Sequence, residues 1–146
     1  MALSQEPLRI SILGQQFRNH PPIFDRIKQD FPQVIDHWGF IADRQEYLSI
    51  LKASDFVLST SDHDFQGLSI LEATALGCIP IIPNDLVYPE YFLDRFLYNR
   101  GPNVETTARN ALQKIQQARI QGFTAPAVDK FERNKLKKNY KEWLSL

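Results

Sequence analysis

Short apolar runs alternate with amphipathic stretches along most of the chain, and several of the runs end at a glycine or a proline. The runs are rich in β-branched and aromatic residues, a composition typical of strands. They predict β-strands at residues 8–13, 33–38, 55–60 and 79–82, with a short fifth strand at 96–98.

Helix signals fall between these strands. The double proline at 21–22 suits the first turn of a helix that runs to about residue 30. Asp43 followed by Glu46 has capping-box spacing and opens a second helix, and residues 67–76 form a third. Strands that alternate with helices imply right-handed βαβ units. The predicted fold class is therefore α/β, a Rossmann-like parallel sheet flanked by helices.

The last third of the chain has a different pattern. Residues 104–121 and 127–144 predict two helices, separated by a segment that contains glycine and proline. A length of 146 residues suits one domain with a sizeable core. We therefore expect a single domain at 1–146, with a helical tail from about residue 104.

Composition and charge exclude several classes of protein. The chain has 17 basic and 17 acidic residues, so no net charge draws the whole domain to nucleic acid or membrane. No run is long and apolar enough to span a membrane, and the N-terminus lacks a signal-peptide pattern. The single cysteine, Cys78, favours a reducing, cytoplasmic setting and packing beside a buried strand. No His, Cys, Asp or Glu set has metal-ligand spacing, so we expect no metal site.

The loop at 59–66 is the first candidate for chemistry, because it follows the third predicted strand and leads into the helix at Gly67. Ligands of open parallel sheets bind at the carboxyl ends of the strands. Glycine allows backbone to approach a ligand closely, and the free N–H groups of Gly67, Leu68 and Ser69 suit a phosphate at the helix start.

Two carboxylates flank this predicted phosphate position. Glu72 shares a helical stripe with Leu68 and Leu76, where a carboxylate is costly unless it meets a partner such as a pair of ligand hydroxyls. Asp64 precedes it by eight residues on the loop. Together they indicate a nucleoside diphosphate attached to a sugar. The alternatives are an ordinary half-exposed helix glutamate for Glu72 and a helix-capping role for Asp64.

A family resemblance appears on these residues. The segment D-F-Q-G-L-S-I-L-E at 64–72 is similar to the E-x7-E signature of the retaining glycosyltransferases of family four, which have the GT-B fold, and residues 72–83 resemble their following helix-to-strand segment. Residues 13–17, 37–40, 63–67 and 85–90 resemble the tRNA-queuosine mannosyltransferase-like branch of that family. The resemblance covers most of residues 8–98.

The resemblance implies roles for the residues of this segment. Glu72 would bind the ribose hydroxyls of the donor, and Gly67 and Leu68 would donate backbone N–H groups to the pyrophosphate. Asp64 stands at the first glutamate of the signature, which contacts the donor sugar, and is one methylene shorter. Asp64 and His63 are the candidate catalytic residues, with a loop or core histidine as the alternative for His63.

The resemblance also implies partners. The base would lie near Gly39 and Phe40, and Arg18 is the nearest basic candidate for the diphosphate. We expect a retaining, metal-independent glycosyltransferase that needs no cofactor. Its donor would be a nucleotide-sugar, most simply GDP-mannose, and its acceptor queuosine in tRNA. The chain resembles only the C-terminal, donor-binding half of a GT-B enzyme, so we expect an N-terminal acceptor-binding domain to be missing and the chain alone to be inactive.

Two alternatives stay open. One is a non-catalytic nucleotide-binding or interaction module, and the other is a glycosyltransferase with a UDP-sugar donor and a different acceptor. A basic cluster in the last predicted helix is either a solvated helix face or a contact for RNA; it comprises Lys130, Arg133, Lys135, Lys137, Lys138 and Lys141.

Overall fold

The computed structural model describes residues 8–14 and 22–144. In chain order the strands and helices are β1 Ile10–Leu13, α1 Ile23–Asp30, β2 Ile35–Gly39, α2 Arg44–Lys52, β3 Phe56–Leu58, α3 Leu68–Ala75, β4 Ile79–Pro83, α4 Tyr88–Tyr91, β5 Leu97–Tyr98, α5 Val104–Ile120 and α6 Arg133–Leu144. Single 3₁₀ turns lie at Pro32–Val34, Asp94–Phe96 and Asp129–Phe131. The chain forms two compact units, residues 1–50 and residues 51–146, each described by itself below.

The first unit contains a two-stranded parallel sheet. Strand β1 pairs with β2, and the ladder continues past β1 with a bond of 3.1 Å from the Gly14 N–H to the Gly39 carbonyl. The rings of Trp38 in β2 and Phe24 in α1 are T-shaped to each other with centroids 6.0 Å apart, and the Lys28 ammonium lies 4.6 Å from the Trp38 ring centroid. Helix α1 therefore packs on this sheet through an aromatic and a cation–π contact.

The second unit contains a three-stranded parallel sheet in the order β3-β4-β5. Its central strand, β4, is buried on both faces, as expected for a parallel sheet covered by helices. On one face Ile81 packs with Tyr98 and with Ala111 and Ala118 of α5. On the other face Ile82 packs with a second cluster, which comprises Ile70, Tyr88, Phe92, Phe96 and Leu97.

Two prolines inside β4 fit the sheet because of where its neighbours begin and end. The pairing with β5 starts at Ile82, opposite Leu97, so Pro80 precedes that ladder. The pairing with β3 ends at Leu58, so Pro83 follows that one. Neither proline therefore stands where one of these ladders needs a backbone N–H donor, and this is the usual condition for proline in a strand.

The α/β class with parallel sheets flanked by helices is confirmed. Asp43 caps α2 as predicted, since its Oδ1 accepts from the Gln45 N–H at 2.7 Å. The strand predicted from residue 33 begins only at Ile35, because Pro32 starts a 3₁₀ turn. Helix α4 was not predicted, and the single domain with a helical tail stays a prediction. Among the described residues, no helix is long and apolar enough to cross a membrane.

Candidate functional site

The loop between β3 and α3 is held at its end by a glycine in the left-handed conformation. Gly67 has φ +60° and directly precedes α3. A Cβ atom at this position would lie 3.0 Å from Cε1 of Tyr88. Both the backbone conformation and the space therefore require glycine. The close approach predicted for Gly67 is, in this structure, an approach to the Tyr88 ring.

Asp64 is bound to the start of α3 and to α4. Its Oδ1 accepts from the N–H groups of Gly67 at 2.7 Å and Gln66 at 3.1 Å, and its Oδ2 accepts from the Tyr88 hydroxyl at 2.8 Å. Burial by itself raises the pKa of Asp64, but the bonds from Gly67, Tyr88 and Gln66 together hold this pKa below its usual value. Asp64 thus fixes the turn that leads into α3, without accepting from an N–H group of the helix itself, and its contact with a sugar stays a prediction.

The same bond corrects the expected anion site. The Gly67 N–H was predicted to be free for a phosphate, but it donates to Asp64. The N–H groups of Leu68 and Ser69 lie in the first turn of α3, where no carbonyl of the same helix can accept from them. These two donors remain at the positive end of the helix dipole.

Tyr88 is the buried centre of this network, and the sequence did not single it out. Its side chain is fully buried, and its hydroxyl lies 2.9 Å from Oγ of Ser59 in addition to its bond with Asp64. Burial, together with the neighbouring Asp64 carboxylate, raises the pKa of Tyr88 to about 12, so it stays a hydrogen-bond donor at neutral pH. The one sequence signal for Tyr88 was its place in the family-like segment at 85–90.

A basic side chain from beyond β5 connects the loop that follows β3 with the loop that follows β4. Arg100 Nη1 lies 2.9 Å from Asp62 Oδ1, and its Nη2 donates to the Ser61 carbonyl. Its Nε lies 3.3 Å from Asp85 Oδ2, close enough for an ion pair, although this nitrogen donates no hydrogen bond within the described part of the chain. Because Asp62 and Asp85 are exposed, these ion pairs orient the loops more than they stabilise the fold.

The two loops and α4 border an open cleft. A cavity of about 300 Å³ is lined by His63, Asp64 and Phe65 of the first loop, by Leu86 and Val87 of the second, and by Glu90 of α4. Leu86 has φ +58°, a conformation that costs a leucine about 1–2 kcal/mol and is concentrated at functional sites. The structure thus brings the predicted pair His63 and Asp64 together in one cleft. It adds the carboxylate of Glu90, which had no predicted role.

The exposure of individual side chains changes two expectations. His63 is exposed, so the core alternative for this histidine is wrong. Helix α3 buries Ile70, Ala73 and Thr74, whereas Leu68 is 65% exposed and Glu72 is half-buried. The stripe that carries Glu72 is therefore less buried than expected, and the argument from the cost of burying its carboxylate is weaker.

The other predicted site residues lie in the first unit or outside the described residues. Gly39 ends β2, is buried and has φ +101°, and Phe40 after it is 65% exposed. Arg18 lies outside the described residues.

Cys78 is buried and its thiol donates to the Leu51 carbonyl at 3.1 Å. Burial raises the pKa of this thiol, so the predicted packing role is confirmed.

Among the described residues, no group of three or more His, Cys, Asp or Glu side chains is placed to hold a metal ion.

No family model matches the chain, and no solved structure matches it. Among curated proteins, the chain is similar to the tRNA-queuosine alpha-mannosyltransferase of Drosophila melanogaster. The two are 39% identical over 95 residues, which is 65% of this chain and 25% of the relative. The chain thus spans about a quarter of the relative's length.

Proposed function

We propose that this chain is the donor-binding part of a retaining GT-B glycosyltransferase of family four. It would transfer mannose from GDP-mannose to queuosine in tRNA. The observation that carries the proposal is the 39% identity to a tRNA-queuosine alpha-mannosyltransferase. The position of the cleft supports it, because the loops that follow β3 and β4 form it at the carboxyl ends of parallel strands.

The diphosphate of the donor would lie at the start of α3. The N–H groups of Leu68 and Ser69 and the helix dipole would stabilise the negative charge that grows on the leaving diphosphate. Gly67 would shape this turn, while its own N–H donates to Asp64. Backbone N–H donors can stabilise the charge of the diphosphate without a metal ion.

The nucleoside and the sugar would lie on either side of the diphosphate. Glu72, one turn into α3, would accept hydrogen bonds from the ribose hydroxyls. The sugar would enter the cleft beside His63. Asp64 would act chiefly by holding the start of α3, since three of its lone pairs are already used within the chain.

A second candidate function is a non-catalytic nucleotide-binding module. The hydrogen bonds that Asp64 already accepts favour it, because a carboxylate has about four lone-pair sites and these three bonds leave about one for a sugar. The two candidates agree on nucleotide binding and differ on transfer. Transfer also requires an acceptor held close to the sugar, which is worth on the order of 7–11 kcal/mol of barrier in favourable cases.

Titration calorimetry of the 146-residue chain tests the proposal. The ligands are GDP, UDP, GDP-mannose and UDP-glucose, each with and without EDTA. The proposal predicts that the guanine nucleotides bind more tightly than the uracil nucleotides and that EDTA changes neither affinity. Tighter binding of UDP-glucose would make UDP-glucose the donor in place of GDP-mannose. Failure of all four ligands to bind would refute donor binding.

A further inference from the structure

Helix α6 is the most exposed regular element of the described chain. Every residue from Glu132 to Glu142 is exposed, including the apolar part of its surface at Leu136 and Tyr140. Twelve residues make a marginal helix in water, and most helices of this length are stabilised by packing. A helix exposed on all of its described faces is therefore available for a partner.

The charge of the chain is concentrated on this helix. Residues 130–142 contain six basic and two acidic residues, a net charge of +4, whereas the whole chain is neutral. The rest of the chain therefore has a net charge of −4. A neutral protein with such a segregated patch attracts a polyanion locally, although its total charge predicts no attraction.

The basic residues of α6 differ in their acidic neighbours. Lys135 forms an ion pair with Asp129, and Lys138 lies 3.9 Å from Glu142. In the described part of the chain, neither Arg133 nor Lys137 forms an ion pair. Binding a polyanion through Arg133 and Lys137 would therefore break no ion pair, whereas Lys135 and Lys138 would have to exchange partners.

Arg133, Lys137 and Lys141 are spaced four residues apart, so they lie along one face of α6, with about 6 Å of helix between successive members. We call these three residues the basic stripe. The exposed ring of Tyr140 lies one residue from the end of the stripe, three positions after Lys137. Cations in a row beside an exposed aromatic ring are the usual elements of surfaces that follow a nucleic-acid backbone and stack a base.

We propose that the basic stripe binds the phosphate backbone of RNA and helps to hold the RNA acceptor. The surface follows from the charge of α6, and the choice of RNA among polyanions rests on the proposed function. Stacking of an unpaired base on Tyr140 would add to the contact without reading sequence. The stripe is a binding surface and takes no part in the transfer itself.

Two double variants with the same loss of charge test this proposal. Arg133→Gln/Lys137→Gln removes two stripe cations, and Lys135→Gln/Lys138→Gln removes two cations that lie beside an acidic residue. Glutamine keeps the helix propensity close to that of lysine and arginine. The binding of a fluorescently labelled tRNA transcript to the 146-residue chain is measured by anisotropy between about 50 and 200 mM salt, a range over which phosphate contacts change affinity strongly.

The stripe variant should bind tRNA on the order of tenfold more weakly near physiological salt. The plot of log affinity against log salt should become less steep by about 1.4–1.8, the counterion release expected for two phosphate contacts. The control variant should change affinity by about twofold or less, since its cations are partly neutralised already. Circular dichroism should show the same helix content in both variants.

Three results would overturn the proposal. They are the absence of tRNA binding by the parent chain, equal weakening in both double variants, and stripe-dependent binding of phosphatidylserine vesicles that exceeds tRNA binding. GDP titration of the same proteins separates the two proposals. Both double variants should bind GDP as the parent chain does, and failure of GDP to bind with intact stripe-dependent tRNA binding would refute the donor site alone.

Discussion

Replacement of Gly67 by alanine separates a conformational cost from a packing cost. Gly67 and Gly122 have nearly the same conformation, with φ +60° and +62°. A Cβ at Gly122 meets nothing within 4 Å, whereas one at Gly67 would lie 3.0 Å from the Tyr88 ring and 3.7 Å from Val87. Gly122→Ala is thus a matched control that contains only the backbone term.

The structure sets the size of the difference. An L-residue in the left-handed conformation costs about 1–2 kcal/mol, so both variants should lose about this much stability. The Tyr88 ring is fully buried and fixed by hydrogen bonds to Ser59 and Asp64, so it has little freedom to move. Overpacking of such a site costs a further 1–3 kcal/mol or so. The free energy of unfolding of Gly67→Ala should therefore fall by about 2–5 kcal/mol, and that of Gly122→Ala by about 1–2.

Urea denaturation followed by circular dichroism measures both free energies of unfolding, and calorimetry with GDP measures donor binding in the folded variants. Gly67→Ala should also weaken GDP binding, because any shift of the turn displaces the first N–H groups of α3. Gly122→Ala should leave GDP binding unchanged. Equal loss of stability in the two variants would show that Tyr88 yields freely, and the reasoning about a rigid network around Gly67 would be refuted.

Three further predictions concern the same network and the predicted reaction. Tyr88→Phe should lower the free energy of unfolding by roughly 2–3 kcal/mol, as measured in urea, because Asp64 loses a buried donor; no change would show that the bond is worth nothing. The pKa of Asp64 is lowered in the folded chain, so the stability that its carboxylate contributes is present above about pH 4 and is lost as pH falls through the folded pKa. Tyr88→Phe removes one cause of the lowered pKa, so in acid titrations of the free energy of unfolding this loss should move to higher pH. An unmoved profile would contradict the assigned cause. Labelled GDP-mannose and tRNA should give no transfer with this chain alone and transfer after fusion to a matching N-terminal half; turnover by the chain alone would contradict the half-enzyme interpretation.

The sequence predicted the fold well where a local signal decides the structure. The β-branched runs marked the strands, and Asp43 and Gly67 marked the starts of α2 and α3. Helix α4 has four residues, fewer than periodicity can reveal. The start of β2 was misplaced because the extended pattern continued through residues 33 and 34, where Pro32 begins a 3₁₀ turn.

The candidate site was only partly predictable, because its contacts connect residues distant in sequence. Asp64 and Tyr88 are 24 positions apart, and Arg100 reaches Asp62 across 38. No local pattern shows that the Gly67 N–H donates to Asp64 rather than to a ligand. The exposure of Leu68 was also misjudged, since the spacing of Leu68, Glu72 and Leu76 defines a stripe but not the direction in which it faces.

Calorimetric titration of GDP-mannose into the parent chain, Glu72→Ala and Glu105→Ala tests the central claim most directly. Glu105 is also a helix glutamate, is strongly exposed and lies in α5, so its variant controls for the loss of one charge. If Glu72 binds the ribose, Glu72→Ala should lose roughly 1.5–3 kcal/mol of binding free energy, about ten- to a hundredfold in affinity, while Glu105→Ala binds as the parent does. Equal affinity in all three proteins, with Glu72→Ala correctly folded, would contradict the assignment of a donor nucleotide site to α3.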